Sequence, residues 1–241
     1  MKASAGVKTM YLIKRRPGVT REDLLVNWFA NHMPIVIRNQ EQSAAAGRVH
    51  AAKYIATLFD ADAAGEHPWD GMAQLWWTRQ LPRPKVAHGT TPTDTFQHKA
   101  EPYVPWATKE YVVIDGSDDL PIVPNPFNSP FPTTRSGFLK VTFFVKAKPG
   151  TDYDALFRHW LEVHAPNVRQ AMQKVGGIRY VVSHSIEPAQ EPYAGMAELY
   201  VRDKTAWDEV ASELRPDGME RWIDVPVGLV LRARTEMIGI P

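Results

Sequence analysis

Two histidines occupy equivalent places in this 241-residue chain, and imidazole is the side chain whose pKa suits proton transfer near neutral pH. His32 follows Leu24 and Trp28 and precedes Pro34 and Val36; 132 residues on, His164 follows Leu156 and Trp160 and precedes Pro166 and Val168. Spacing by four puts each histidine on the apolar stripe of a helix. There it can act as a general base, or it can be a core histidine satisfied by backbone. A second set comes from strands. Tyr54, Tyr180 and His184 share a face by alternation, with Leu58 standing where the second copy has His184. On the following strand Glu198 and Tyr200 alternate together, opposite Gln74 and Trp76 of the first copy. His, Tyr and Glu on adjoining strands can form an acid/base cluster, or Glu198 can be a solvated residue paired with Arg179. His50 lies two alternations before Tyr54. His159, beside Trp160, falls off the stripe and is expected to be exposed.

Eight tryptophans, among them Trp28, Trp76 and Trp160, exceed what core filling asks of a chain this size. They fit either a core or an aromatic-walled cavity for a flat, oxygenated ligand. Other chemistries lack their residues. There is no cysteine, hence no disulfide, thiol nucleophile or thiolate metal site. No phosphate loop, serine elbow, paired-carboxylate spacing or metal motif is found, so no metal and no cofactor are expected. A net charge of +1, with both signs interspersed, gives no footprint for nucleic acid. Residues 1 to 16 hold no apolar run for a signal peptide or membrane span, which makes the cytoplasm the default location.

The elements that carry these residues repeat too. Lys14-Arg15-Arg16-Pro17-Gly18 precedes the first helix and Lys146-Ala147-Lys148-Pro149-Gly150 the second. Each Pro-Gly ends a strand, and Thr20 and Asp152 then stand where an N-cap is wanted. In the first copy the pattern predicts strands at 8–14, 50–59, 71–78 and 109–115 and a helix over 20–44. In the second it predicts strands at 178–186, 195–202 and 230–238 and a helix within 203–224, interrupted at Pro216-Asp217-Gly218. Lys53-Tyr54-Ile55 matches Arg179-Tyr180-Val181, and Gly71-Met72-Ala73 matches Gly195-Met196-Ala197. Residues 60–69 and 187–193 read as loops. Residues 80–94, rich in Pro, Gly and Thr, are no regular helix and suit a lid. The chain divides into a first module (1–115), a proline-rich linker (116–137) and a second module (138–241).

Asn31-His32-Met33-Pro34 and Val163-His164-Ala165-Pro166, each after a Pro-Gly turn and a Trp helix, resemble the EthD-like family of the dimeric α/β-barrel superfamily. The resemblance implies an α+β fold: two tandem ferredoxin-like (βαββαβ) modules forming an intramolecular dimeric α/β barrel. It implies a superfamily of cofactor-free monooxygenases, cyclases, isomerases, lyases, haem peroxidases and small accessory proteins, so fold does not choose the reaction. In the tandem haem enzymes a histidine of the second module would be the axial ligand; the paired His-x-Pro signature favours the EthD side. The expected function is a cofactor-independent acid/base enzyme on an aromatic or polyketide-like small molecule. A lyase (elimination, ring opening or retro-aldol release of formaldehyde) leads; a monooxygenase, cyclase or isomerase, and a non-catalytic binding protein, are the alternatives. The expected catalytic residues are His32, His164, His184, Tyr54 and Tyr180; the expected substrate-binding residues are Trp28, Trp160, Trp76, Tyr200, Glu198 and His50. The partners expected are an aromatic substrate and a second copy in a homodimer.

Overall fold

The computed structural model describes residues 1–61, 68–125, 130–224 and 229–241. Parts of the 60–69 loop and of the 116–137 linker expected from sequence lie outside these residues.

In chain order the elements are β1 (Lys2–Ala3), β2 (Val7–Ile13), α1 (Arg21–Asn27), a π-helical turn (Trp28–His32), α2 (Met33–Ala45), β3 (Ala51–Phe59), β4 (Gly71–Trp77), α3 (Thr95–Lys99), β5 (Trp106–Ile114) and β6 (Thr133–Arg135). They continue as β7 (Leu139–Val145), α4 (Tyr153–His159), a second π-helical turn (Trp160–His164), α5 (Ala165–Lys174), β8 (Arg179–Ser185), β9 (Gly195–Val201), α6 (Lys204–Glu213) and β10 (Leu229–Ile240). Both halves read β-α-β-β-α-β, so the fold is α+β and built from tandem ferredoxin-like modules, as the family resemblance implies. Between β4 and α3 the chain has neither helix nor strand.

The chain forms two compact units. One comprises Ala5–Ala107, Ile122–Ser136 and Thr235–Pro241, the other Met1–Ser4, Thr108–Pro121 and Gly137–Arg234. In the first unit β4 pairs antiparallel with β2 and β3, and β6 pairs antiparallel with the end of β10. In the second, β9 pairs antiparallel with β7 and β8, β7 also with the start of β10, and β8 with β5.

The local reasons are those of the sequence. Gly18 and Gly150 sit at φ +79° and +76°, a turn conformation that an L side chain resists. Thr20 Oγ1 then accepts from the Asp23 amide, and Asp152 Oδ1 from the Ala155 amide, both at 3.1 Å. These are the caps expected, each worth about 1 kcal/mol. The repeated Gly71 and Gly195 have a different cause. A Cβ at Gly71 would lie 2.7 Å from the Thr57 carbonyl oxygen and 2.8 Å from the Trp28 ring, and one at Gly195 2.5 Å from the Ser183 carbonyl oxygen and 3.0 Å from the Trp160 ring, so each glycine leaves room for the neighbouring strand and a helix tryptophan. Leu24, Trp28, Met33 and Tyr54 fill the core of the first unit; Leu156, Trp160, Ala165 and Tyr180 fill that of the second.

Candidate active site

Each His-x-Pro motif has a backbone consequence. Pro34 and Pro166 have no amide hydrogen, and their rings crowd the carbonyl four residues back. The helix widens just before them: the Met33 amide donates to the Trp28 carbonyl and the Ala165 amide to the Trp160 carbonyl, five residues apart. A side chain every four residues drifts by about 40° per step on a regular α-helix, and the wide turn takes back part of that drift. Leu24, Trp28 and His32 thereby stay on one face.

His32 closes the first π turn. Its Nδ1 lies 2.6 Å from Asp94 Oδ2, and its ring lies 4.6 Å from that of Phe96. Asp94 is held in turn, because its Oδ1 accepts from the Gln97 amide and caps α3. With Nδ1 committed, Nε2 is the nitrogen left to take up a proton. His32 opens on a cavity of about 320 Å3 whose wall includes Trp28, Tyr54, Tyr11, His88 and Tyr103. Tyr54, 2% exposed, accepts from Trp28 Nε1 at 3.0 Å, and burial pushes its phenol well above the usual range. Burial also pushes Tyr11 and Tyr103 up to about 12, the latter against a hydrogen bond with Gln97 that acts the other way. All three phenols therefore keep their protons at neutral pH. Burial, then the neighbouring His32, lowers His88 below the usual histidine value, which keeps it neutral.

The second copy keeps the dyad and fills the room around it. His164 Nδ1 lies 2.8 Å from Asp217 Oδ2. Burial raises the Asp217 carboxyl, but hydrogen bonds from Asn167 and His164 outweigh it and hold the group below the usual carboxylate range. At the repeat offset Tyr11 becomes Phe143, Asn39 becomes Ala171 and Gln40 becomes Met172. Phe143 packs on Trp207 of α6 at 5.6 Å, and Ala171, Met172 and Val210 are core residues. Trp160 Nε1 and the Tyr180 hydroxyl, the counterparts of the Trp28–Tyr54 pair, are near one another but form no hydrogen bond of good geometry.

The remaining expected residues fall elsewhere. His184, 3% exposed, stacks on Phe157 at 4.1 Å and sits beside Trp160 and Tyr111; its Nε2 has no partner, and burial lowers its pKa to about 3. Glu198 and Tyr200 do not join Tyr180 and His184. Pairing sets Val181 opposite Glu198 and Tyr180 opposite Leu199, so Glu198 and Tyr200 occupy the other face of the strands. Nor is Glu198 solvated or paired with Arg179: it binds the buried Lys140 at 2.6 Å, while Arg179 binds Asp115. Tyr200 packs on Phe138. Trp76 likewise faces away from the cavity, with Lys8 Nζ 5.2 Å from its ring. His50 lines a separate cavity with Ile37 and Phe131. His159 is largely buried rather than exposed, against Trp222 at 4.7 Å. Sequence reading did not single out Asp94, His88, Tyr11, Tyr103 or Asp217.

Residues 148–226 match the EthD domain family. Over those residues the second module is similar to EthD domains. The EthD match falls on the copy with the filled interior, and the repeat carries the same motif into the first. No curated protein matched the sequence. Among solved structures an anthrone oxidase-like protein has 11% identity and a TM-score of 0.51, covering 98% of this chain and 94% of its own. A haem-binding protein from Thermus thermophilus has 12% identity and a TM-score of 0.47, over 97% and 92%. Chlorite dismutase from Candidatus Nitrospira defluvii has 10% identity and a TM-score of 0.47, over 95% and 92%. At such identities the likeness is one of fold, of the dimeric α/β-barrel type.

The axial haem ligand that the resemblance implies would be a histidine of the second module; there His184 is enclosed, and His164, whose side chain is 29% exposed, has its Nδ1 held by Asp217. The Phe157 ring covers one face of His184, and Phe143, Trp207 and Met172 belong to one packed apolar cluster. Among the described residues no three of His, Asp and Glu converge as a metal-ligand set, and no helix is long and apolar enough to cross a membrane.

Proposed function

We propose that the first module is a cofactor-independent acid/base enzyme acting on a small aromatic or polyketide-like molecule, with His32 as the base. The observation that carries this is the 2.6 Å pairing of His32 Nδ1 with Asp94 at the wall of a cavity lined by aromatic rings. A carboxylate on Nδ1 fixes the tautomer and orientation of the ring and stabilises the imidazolium that forms when Nε2 takes a proton. Trp28, Tyr54 and Phe96 give the ligand flat apolar surface, and water-poor walls strengthen every charge interaction within them. Proton removal from carbon next to a carbonyl, or from a phenol, begins elimination and ring opening, and removal of a β-hydroxyl proton begins retro-aldol cleavage. A lyase is the reading that asks least of the residues present. His164 and Tyr180 keep the same scaffold without the room, and act as structure; His184 is enclosed and does the same. The assembly that the family resemblance implies is a homodimer, which sedimentation of the purified chain checks.

The test is deuterium exchange. A panel of aryl ketones and phenols is incubated with the protein in D2O, and incorporation at the acidic carbon is followed by NMR. Wild type accelerates exchange in at least one compound. His32→Ala abolishes the acceleration, and Asp94→Asn, which keeps the α3 cap, lowers it about a hundredfold. Dissolved oxygen measured in parallel separates a lyase or isomerase, which consumes none, from a monooxygenase. Exchange by His32→Ala equal to wild type would remove His32 from the chemistry.

A further inference from the structure

The cavity of the first module sorts its polar groups into those already satisfied and those left open. Tyr54 is bonded to Trp28 Nε1, Gln40 Oε1 accepts from the Ala51 amide, Gln97 Oε1 accepts from Thr93, and Tyr103 bonds to Gln97. Among the described residues the Tyr11 hydroxyl, both ring nitrogens of His88 and Nε2 of His32 meet no partner. Trp77, in the same wall, carries a buried Nε1 that also has no acceptor. Three of these open groups can donate to a ligand, a phenol that stays protonated, one N–H of a neutral imidazole and an indole N–H, and the second imidazole nitrogen and the Asn39 amide lie in the same wall. A donor-rich wall facing one base asks for a ligand with an acceptor oxygen.

The two leading donors are neighbours and are held in place. The Tyr11 and His88 rings meet edge to face at 5.8 Å, and Tyr103 lies 5.7 Å from His88 and 5.9 Å from Tyr11. His88 belongs to a stretch without helix or strand, yet its backbone is pinned: its amide donates to the Tyr103 carbonyl at 2.9 Å and its carbonyl accepts from the Tyr103 amide at 3.0 Å. Arg16 Nη2 bonds the adjacent Gly89 carbonyl at 3.1 Å. Preorganised donors of this kind do not have to reorient as charge develops.

We propose that Tyr11 and His88 form an oxyanion site opposite His32, so that the substrates are phenols or enolisable aryl carbonyls whose oxygen takes up charge when the proton leaves. The inference rests on the reading of the cavity as an acid/base site. His32 Nε2 takes the proton from the acidic C–H or O–H. The electron pair of the broken bond settles on the substrate oxygen, which accepts hydrogen bonds from the Tyr11 hydroxyl and a His88 N–H. The proton then returns from His32 to product, and no oxidant or reductant enters. A neutral imidazole polarising an oxygen is the role that the lowered pKa of His88 suits.

The probe is 4-nitrophenol, whose phenol and phenolate forms absorb at different wavelengths, titrated into the full chain between pH 5 and 9. With wild type the bound probe ionises at lower pH than the free one. His88→Phe keeps the ring packed against Tyr11 and Tyr103 but removes the N–H, and Tyr11→Phe removes the hydroxyl. Each weakens phenolate binding about tenfold and returns the bound ionisation toward that of free probe, while His88→Asn recovers most of the loss. If both Phe variants bind and ionise the probe as wild type does, the oxyanion site is wrong although the cavity reading stands. If folded wild type does not bind the probe at all, the aromatic-site reading falls and this inference with it.

Discussion

The same pair of side chains carries different energies in the two copies. Trp28 Nε1 donates to Tyr54, whereas Trp160 and Tyr180 are buried without a good bond between them. Removing the Tyr54 hydroxyl strands a buried donor, so Tyr54→Phe should cost about 1–3 kcal/mol. Tyr180→Phe should cost less than about 0.5 kcal/mol, since it removes a hydroxyl with no such bond to lose. Urea unfolding of the two variants checks the contrast, and equal losses would show that the second pair is bonded after all. His184 supplies a pH dependence. Burial lowers its pKa from 6.5 in the unfolded chain to about 3 in the fold, so between those values the unfolded chain binds a proton that the fold does not. Stability from this group is complete above pH 6.5, falls as pH drops toward 3, and is level below. The full effect is on the order of 5 kcal/mol. His184→Leu, the residue found at the equivalent position 58, should flatten the slope of stability against pH by up to about 1.4 kcal/mol per unit within that window. Denaturation at pH 7, 5 and 4 measures it.

At the scale of elements, the basic stretch before each Pro-Gly turn grips the segment that carries the histidine's carboxylate. Arg16 bonds the Gly89 and Gln97 carbonyls on either side of Asp94, and Lys148 bonds the Glu220 carbonyl just beyond Asp217. Arg16→Met should therefore loosen residues 88–97 while costing about 1 kcal/mol of global stability. Hydrogen exchange of the Gln97 and Ala100 amides would speed up, with α1 and α2 unaffected; unchanged exchange there rejects the clasp. This grip, and the carboxylate it positions, could not be read from the repeat. Asp94 lies 62 residues after its histidine and Asp217 only 53 after its own, so no constant offset links them. The strands, caps, Pro-Gly turns and histidine helices were legible because their patterns are local and doubled. Which strand face holds Glu198 was not: every residue of β9 is buried, so apolar alternation leaves no mark of the register. His88 and Tyr103 are joined by a backbone bridge across an irregular stretch, and only Tyr11 left a trace in sequence, as the polar variant of Phe143.

Across the whole molecule, duplication has given two scaffolds with one set of anchors and two interiors. Where the first module runs without regular structure between β4 and α3, the second inserts α6, whose Trp207 meets Phe143; Gln40 gives way to Met172 in the same interior. A cavity bounded by polar groups costs stability that a filled core retains, and such a cost persists in one module only if that module uses it. The consequence is an asymmetry in paired variants. His164→Ala removes a hydrogen bond to a carboxylate that Asn167 also holds, so it should lower stability by about 1–2 kcal/mol and leave deuterium exchange into substrate at the wild-type rate. His32→Ala should do the reverse, abolishing exchange with a comparable or smaller loss of stability. Trp207→Ala should destabilise by about 3–5 kcal/mol through the void it leaves, yet at a temperature where it remains folded its exchange rate should match wild type. Equal loss of exchange in His32→Ala and His164→Ala, with both variants folded, would mean that the second module reacts as well and would overturn the assignment of the chemistry to the first.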